Sequence, residues 1–298
     1  MGIWAPILLH GIPYISDVIE SEERCMDSCM EISWNASLID PTHSRQSKPR
    51  TTTGLTMVLD KGLGLTAFRD LLQLASAYVD FIKLGFGTTG ITPVPILQKK
   101  IEIASQYHTY LYPGGTFFEV AYTQGKTSEY FYTLKRLGFD WVEISDGTVS
   151  IPESDRYTLI EEAQAHSLRV ITEIGKKAKH SITPIHQLTH LFKQDRKHGA
   201  EFVIIEGRES GCDVGIYDDC GMMDTSYVHQ VCSFIDHRYL WWECPQISQQ
   251  IELLHLLGND VNIGNVAVPD ILSLESLRRG LRSDTLSTMT SLKKDPVL

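Results

Sequence analysis

The chain has no apolar run of membrane length, no nucleotide-binding glycine signature and no paired-cysteine metal motif. Each absence removes a class of protein. No apolar stretch reaches the ~20 residues that span a bilayer. The mildly apolar start, Met1–Ile15, lacks the basic leader of a secretory signal. Cysteines are few: Cys25, Cys29, Cys212, Cys220, Cys232 and Cys244 form no C-x-x-C pair. Cys25 and Cys29 have no partner pair at zinc-finger spacing, so free thiols in a reducing cytoplasm are expected. No G-x-G-x-x-G follows the first predicted strand and no Walker A sequence occurs; Lys83–Gly90 (KLGFGTTG) holds only a G-x-G fragment. Basic residues are outnumbered, 27 Lys and Arg against 37 Asp and Glu, for a net charge of -10. That balance argues against a nucleic-acid surface or an anionic-membrane binder. A small anionic substrate in a local basic pocket stays compatible with it.

What is present is a repeated design. Trp141–Ile144 (WVEI) within Asp140–Gly147, Arg169–Gly175 (RVITEIG), Phe202–Gly207 (FVIIEG) and Tyr239–Cys244 (YLWWEC) are apolar runs, each carrying one Glu: Glu143, Glu173, Glu206 and Glu243. A buried strand seldom carries a carboxylate unless it is paired or does chemistry. The pattern predicts strands that bring these carboxylates to one mouth.

A strand–helix rhythm starts at Lys48. Strands are predicted at Gly54–Asp60, Asp80–Gly85, Thr109–Gly115, around Asp140, from Arg169, from Phe202, from Tyr239 and at Val261–Val266. Helices are predicted at Thr66–Tyr78 with Thr66 as N-cap, Pro93–Tyr107, Thr127–Leu137 closed by Gly138, Ser154–His166, Pro184–His198, Thr225–His237, Ser248–Leu257 and Ile271–Leu281. Eight alternating units favour a closed (β/α)8 TIM-type barrel over an open doubly wound sheet. The expected division is an N-terminal extension over 1–47, the barrel over 48–286 and a tail over 287–298.

Catalytic groups of such barrels sit at the C-terminal ends of the strands. The polar residues there include Asp60, Lys83, Gly114, Gly115, Glu143, Ser145, Glu173, Lys176, Lys177, Glu206, Arg208, Glu243 and Asn265. Strand alternation puts Glu143 with Ser145, Glu173 with Ile171, Lys83 with Phe81 and Glu206 with Arg208 on the lumen side. Converging carboxylates repel, and a hard divalent cation such as Mg2+ would relieve the repulsion, with Glu143, Glu173 and Glu206 as expected ligands. Pairing of each Glu with a neighbouring Lys or Arg is the alternative. Glu243 suits either role. Lys83 would bind an anion, pair with Glu143 or form a Schiff base. Lys176, just past Gly175, is the candidate proton donor, with Lys177 expected in solvent. Arg208 suits bidentate binding of a carboxylate, phosphate or sulfonate, and the Gly114–Gly115 amides suit an anion, although a tight turn would explain them as well. Asp60 is also read as a helix cap.

Lys48–Arg50, Gly54–Gly64, Asp80–Thr88, Tyr112–Glu119 (YPGGTFFE), Glu143–Thr148 (EISDGT), Glu173–Lys177 (EIGKK), Arg208–Gly211 (RESG) and Gly280–Thr285 (GLRSDT) together resemble the phosphosulfolactate synthases. The resemblance runs from about Lys48 to Thr285. It implies a Mg2+-dependent carbon–sulfur lyase that adds sulfite to C3 of phosphoenolpyruvate, with protonation at C2, to give 2-phospho-3-sulfolactate. In methanogenic archaea that reaction opens coenzyme M synthesis, and bacterial members make sulfolactate. On this reading Lys176, Lys83 and Glu143 are catalytic, and Arg208, Gly114, Gly115, Asn265 and Arg282 bind substrate. A cytoplasmic homo-oligomer with small-molecule substrates, and with no nucleic-acid or membrane partner, is expected. Two other readings stand: a different lyase using Lys83 on phosphoenolpyruvate or a keto acid, and a non-catalytic barrel akin to a plant heat-tolerance protein.

Overall fold

Strand polarity and burial organise the molecule. The computed structural model describes residues 34–286. Most of the expected extension, with Cys25 and Cys29, and the tail from 287 lie outside the described residues. Eight strands form one sheet: β1 (Thr56–Asp60), β2 (Phe81–Leu84), β3 (Tyr110–Pro113), β4 (Trp141–Ser145), β5 (Arg169–Ile174), β6 (Ala200–Ile205), β7 (Leu240–Glu243) and β8 (Ile263–Ala267). Their order is β3-β2-β1-β8-β7-β6-β5-β4, and every hydrogen-bonded pair is parallel. β3 and β4 lie side by side without a ladder, so the (β/α)8 TIM-type barrel is nearly closed, with one seam.

Alternation of side chains creates two cores. One set, with Val58, Ile82, Val142, Val170, Val203 and Trp242, packs under the helices. The other fills the barrel: Leu55, Met57, Phe81, Tyr112, Trp141, Ile171, Phe202, Ile204 and Trp241. Phe81 lies at its centre, with ring centroids 5.0 Å from Trp141 and 5.4 Å from Trp241. Edge-to-face geometry suits the ring quadrupoles. This aromatic floor closes the lumen, so a polar group one step further along each strand meets apolar surface on one side and the mouth on the other.

Helix ends follow the sequence with three corrections. Helix Thr127–Leu137 ends at Gly138 with φ 103°, a left-handed cap that glycine adopts without steric cost. Thr66 is not an N-cap: the helix starts at Leu65 after Gly64, which makes no side-chain cap bond. The Gly114–Gly115 pair does not end a long third strand but opens an additional helix, Gly115–Thr123. The stretch Thr225–His237 stops as an α-helix at Phe234. Just before Lys48, Arg45 forms a buried 3.0 Å ion pair with Glu275. No helix among the described residues is long and apolar enough to cross a membrane, and the four described cysteines are free thiols.

Candidate active site

The register explains why the carboxylates meet. Ser145 pairs with Glu173 across β4 and β5. Ile205 pairs with Trp242, so Glu206 and Glu243 emerge side by side at the next step. Lys83 rises from β2 opposite them, one lumen position above Phe81. Its Nζ lies 2.8 Å from Glu143 Oε2, 3.2 Å from Glu173 Oε2 and 3.0 Å from Glu243 Oε1. The expectation that these strands converge on one rim is met.

Burial would strip Lys83 of its proton, but Glu143, Glu243 and Glu173 outweigh that and hold it well above an ordinary lysine. Burial raises Glu143 and Lys83 opposes it; with Glu173 and Glu243 also close, its carboxyl sits at about 7. Burial likewise pushes Glu173 up, yet Lys177, Lys83 and a hydrogen bond from Glu206 hold it well below the usual carboxylate range. Glu206 goes the other way: burial, then the charges of Glu173 and Glu243, lift it well above that range against the pull of Lys177. The mouth therefore contains carboxyl groups of opposite tendency within one cluster, a pattern typical of acid–base chemistry.

The two adjacent lysines exchange the places expected for them. Lys176 turns outward: its Nζ donates to Asp146 Oδ2 at 2.6 Å and to Val149 O at 3.1 Å. Lys177 turns inward, 2.8 Å from Glu173 Oε1 and 3.1 Å from Glu206 Oε2. Burial lowers its affinity for a proton, but Glu173 and Glu206 more than restore it, and it stays an ammonium. The reason is parity. Ile171, Glu173 and Lys177 share the odd-numbered lumen side, and the break falls at Gly175. There φ is 136°, and a Cβ would stand 2.5 Å from Glu206 Cβ, so only glycine lets β5 and β6 approach there.

Other expected site residues are placed as follows. Gly115 N donates to Glu143 Oε1 at 2.7 Å, so this amide orients a carboxylate instead of facing an external anion. Gly114 N is used by Leu84 O at 2.9 Å. Arg208 is half-buried at the rim, with Nη1 3.3 Å from Lys177 O. Asn265 is buried at the same rim and donates through Nδ2 to Arg208 O at 3.2 Å. Arg282 is elsewhere: its guanidinium bonds Ser273 Oγ at 2.7 Å and Asp284 at 3.1 Å, both on the segment after β8. Asp60 faces the helices, paired with buried Lys100 at 2.6 Å, and accepts the Gly62 and Leu63 amides.

Among described residues, the buried carboxylates close enough to share a cation are Glu173, Glu206 and Glu243, whose oxygens lie within 4.8 Å of one another. Glu143 is not in this group, and Glu243 is; each of the three is also ion-paired, Glu173 and Glu243 with Lys83 and Glu173 and Glu206 with Lys177. An all-oxygen, hard donor set of this kind fits Mg2+.

Two contributors are not visible in the sequence pattern. Ser145 Oγ lies 2.8 Å from both Glu119 Oε1 and Glu173 Oε1, and buried Glu119 comes from the unexpected helix Gly115–Thr123. Its only signal is a carboxylate in YPGGTFFE, a run that reads as strand and turn. Arg156, fully buried, pairs with Asp195 at 2.6 Å and donates to Glu173 O at 3.1 Å, fixing β5 from behind.

The family model for (2R)-phospho-3-sulfolactate synthase (ComA) matches residues 43–284. The chain is 40% identical to the phosphosulfolactate synthase of Methanothermobacter thermautotrophicus over 247 residues, 82% of this chain and 95% of that one. It is 34% identical to the phosphosulfolactate synthase of Bacillus subtilis over 244 residues, 81% and 95% of the two chains. Among solved structures, the carboxyl transferase domain of Rhizobium etli pyruvate carboxylase with 3-bromopyruvate aligns at a TM-score of 0.50 and 11% identity, over 73% of this chain and 40% of that one. That likeness is one of fold.

Proposed function

Because the chain belongs to the phosphosulfolactate synthase family, we propose that it joins sulfite to phosphoenolpyruvate, forming 2-phospho-3-sulfolactate as a carbon–sulfur lyase. The observation that carries this reading is two ammonium groups, Lys83 and Lys177, held among four carboxylates at one rim with Arg208 beside them. A trianionic enol ester and a sulfite dianion repel one another, so a site that joins them must supply fixed positive charge.

The sulfur lone pair forms the bond to C3, and the C2–C3 π pair moves to C2 and its carboxylate. Charge developing there needs preorganised partners that water cannot supply as well. Arg208 presents a planar fork suited to the phosphate or carboxylate. Lys83 keeps its charge in a buried place and so sets a positive field beneath the substrate. Lys177 delivers the proton to C2, and its partly exposed amine recovers one from solvent. Lys177 replaces Lys176 in this role, since Lys176 is bound to Asp146 and Val149 away from the lumen. Glu173, Glu206 and Glu243 are the residues that would hold Mg2+. When bound, Mg2+ supplies Lewis-acid stabilisation of negative charge.

A Schiff base at Lys83 has no support in this geometry, because an amine contacted by three carboxylates stays protonated and is no nucleophile. The test is consumption of phosphoenolpyruvate by purified protein with Mg2+, in the presence and absence of sulfite. Sulfite-dependent loss with appearance of the phosphosulfonate is expected. Loss without sulfite, or none at all, would overturn the reading.

A further inference from the structure

Two non-glycine residues at the rim hold left-handed backbone conformations next to each other: Arg208 at φ 58° and Asn265 at φ 55°. Such conformations persist in non-glycine residues only where surrounding contacts enforce them, and they concentrate at functional sites. Asn is among the side chains that tolerate this region best. Arg is not, so Arg208 needs external restraint.

That restraint is visible atom by atom. Arg208 N donates to Glu206 Oε1 at 2.8 Å and to Glu243 Oε2 at 3.0 Å. Gly207 N also donates to Glu243 Oε2, at 2.9 Å. Two successive amides thus grip one carboxylate. On the other side of the same residue, the Arg208 carbonyl accepts from Asn265 Nδ2 at 3.2 Å. Gly207 is obligatory in this turn, because a Cβ there would stand 2.4 Å from Glu243 O. Asn265 itself is 5% exposed, and its Oδ1 accepts nothing from the described residues. The Nδ2 bond to the Arg208 carbonyl is therefore made by a buried side chain and not by one displayed on the surface.

We infer that Asn265 is a positioning residue, which acts on the anionic substrate through Arg208 by clamping the Arg208 carbonyl so that the turn directs the guanidinium over the mouth. This rests on the reading that the rim binds an anionic enol ester. It differs from the sequence-based expectation that Asn265 contacts substrate directly. Carboxylate grip on the amides and amide grip on the carbonyl fix both peptide planes flanking Arg208. With one plane released, the side chain samples other directions and affinity for the anion falls, while the proton-donating lysine is untouched.

The experiment is a double-mutant cycle on binding of phosphoenolpyruvate alone, read by calorimetry on the full-length protein with Mg2+, with turnover measured in parallel. Asn265→Gly removes the amide and keeps the backbone conformation accessible. Asn265→Ala removes the amide without adding charge, and serves if the glycine variant is poorly folded. Each should weaken binding about tenfold, the scale seen when a group that orients a ligand-binding residue is lost, raising KM with kcat nearly unchanged. In an Arg208→Ala background the same changes should add nothing. Additive losses in that background, or a fall in kcat with unchanged KM, would overturn the inference. If the coupling is present and sulfite-dependent turnover is absent, the positioning role stands and the proposed reaction fails; if turnover is present and the coupling is absent, the reaction stands and the positioning role fails.

Discussion

Two layers of the same barrel lumen lie one side chain apart on each strand and could hardly differ more. Phe81, Trp141, Ile171, Phe202 and Trp241 form a dry floor. The next inward positions are Lys83, Glu143, Glu173 and Glu243, joined by Glu206 just past the end of β6, all buried. The floor is held by ring contact, although the indole N–H groups of Trp141 and Trp241 are buried there with no hydrogen-bond partner among the described residues. The upper layer assembles charges that burial opposes, and it persists because two ammoniums and several backbone amides are built in beside them. Stability is concentrated in one layer and strain in the other. The floor also makes the strain useful: with apolar rings below, ion pairs at the rim are screened less than they would be in water.

Breaking the upper layer should have the largest effect on chemistry. Lys177→Ala is expected to lower sulfite-dependent turnover by about 10²–10⁴-fold, the usual worth of a positioned acid, whereas Lys176→Ala should stay close to wild type in a steady-state assay. Equal losses would return Lys176 to the site. Breaking the floor should do the opposite. Phe81→Ala removes a ring that touches Tyr110, Tyr112, Trp141, Phe202 and Trp241. Urea denaturation should show a loss of about 3–5 kcal/mol, while kcat of the folded fraction falls far less than in Lys177→Ala. A parallel collapse of kcat would mean that the floor sets the geometry of the mouth.

The smallest effect sharpens the comparison through pH. Glu143 titrates at about 7 when folded, against roughly 4.3 in an unfolded chain. The folded protein therefore binds the extra proton between those values. The stability this gives is complete below the unfolded value and is lost as pH rises through about 7. In metal-free buffer, Glu143→Gln should gain Tm relative to wild type between roughly pH 5 and 8, at the expense of turnover. A constant difference in Tm would assign the ionisation to another group.

Much of the site was legible because strand parity is a local rule. Alternation puts Glu143 with Ser145, Glu173 with Ile171 and Lys83 with Phe81 in the lumen, and each is there. The failures come where alternation is not carried through or stops. Lys177 rather than Lys176 faces inward because it keeps the parity of Ile171 and Glu173 past the turn at Gly175. The helix Gly115–Thr123 follows a glycine pair that reads as a turn, which hid Glu119 and converted the Gly115 amide into a partner for Glu143. Arg282 belongs to a motif in the sequence, but its guanidinium is engaged by Ser273 of the helix Ile271–Arg278 and by Asp284 of its own segment.

The sequence by itself determined the eight strand–helix units, the lumen-facing side of the strands that carry Lys83, Glu143 and Glu173, and the supply of carboxylates and lysines to one rim. These follow from periodicity and from local propensity, which act over a few residues. Tertiary structure alone decided which carboxylates come within reach of a common cation and which amides are already used. Those outcomes depend on register between strands distant in the chain and on the close approach of β5 to β6 at Gly175. Neither is encoded in any one segment.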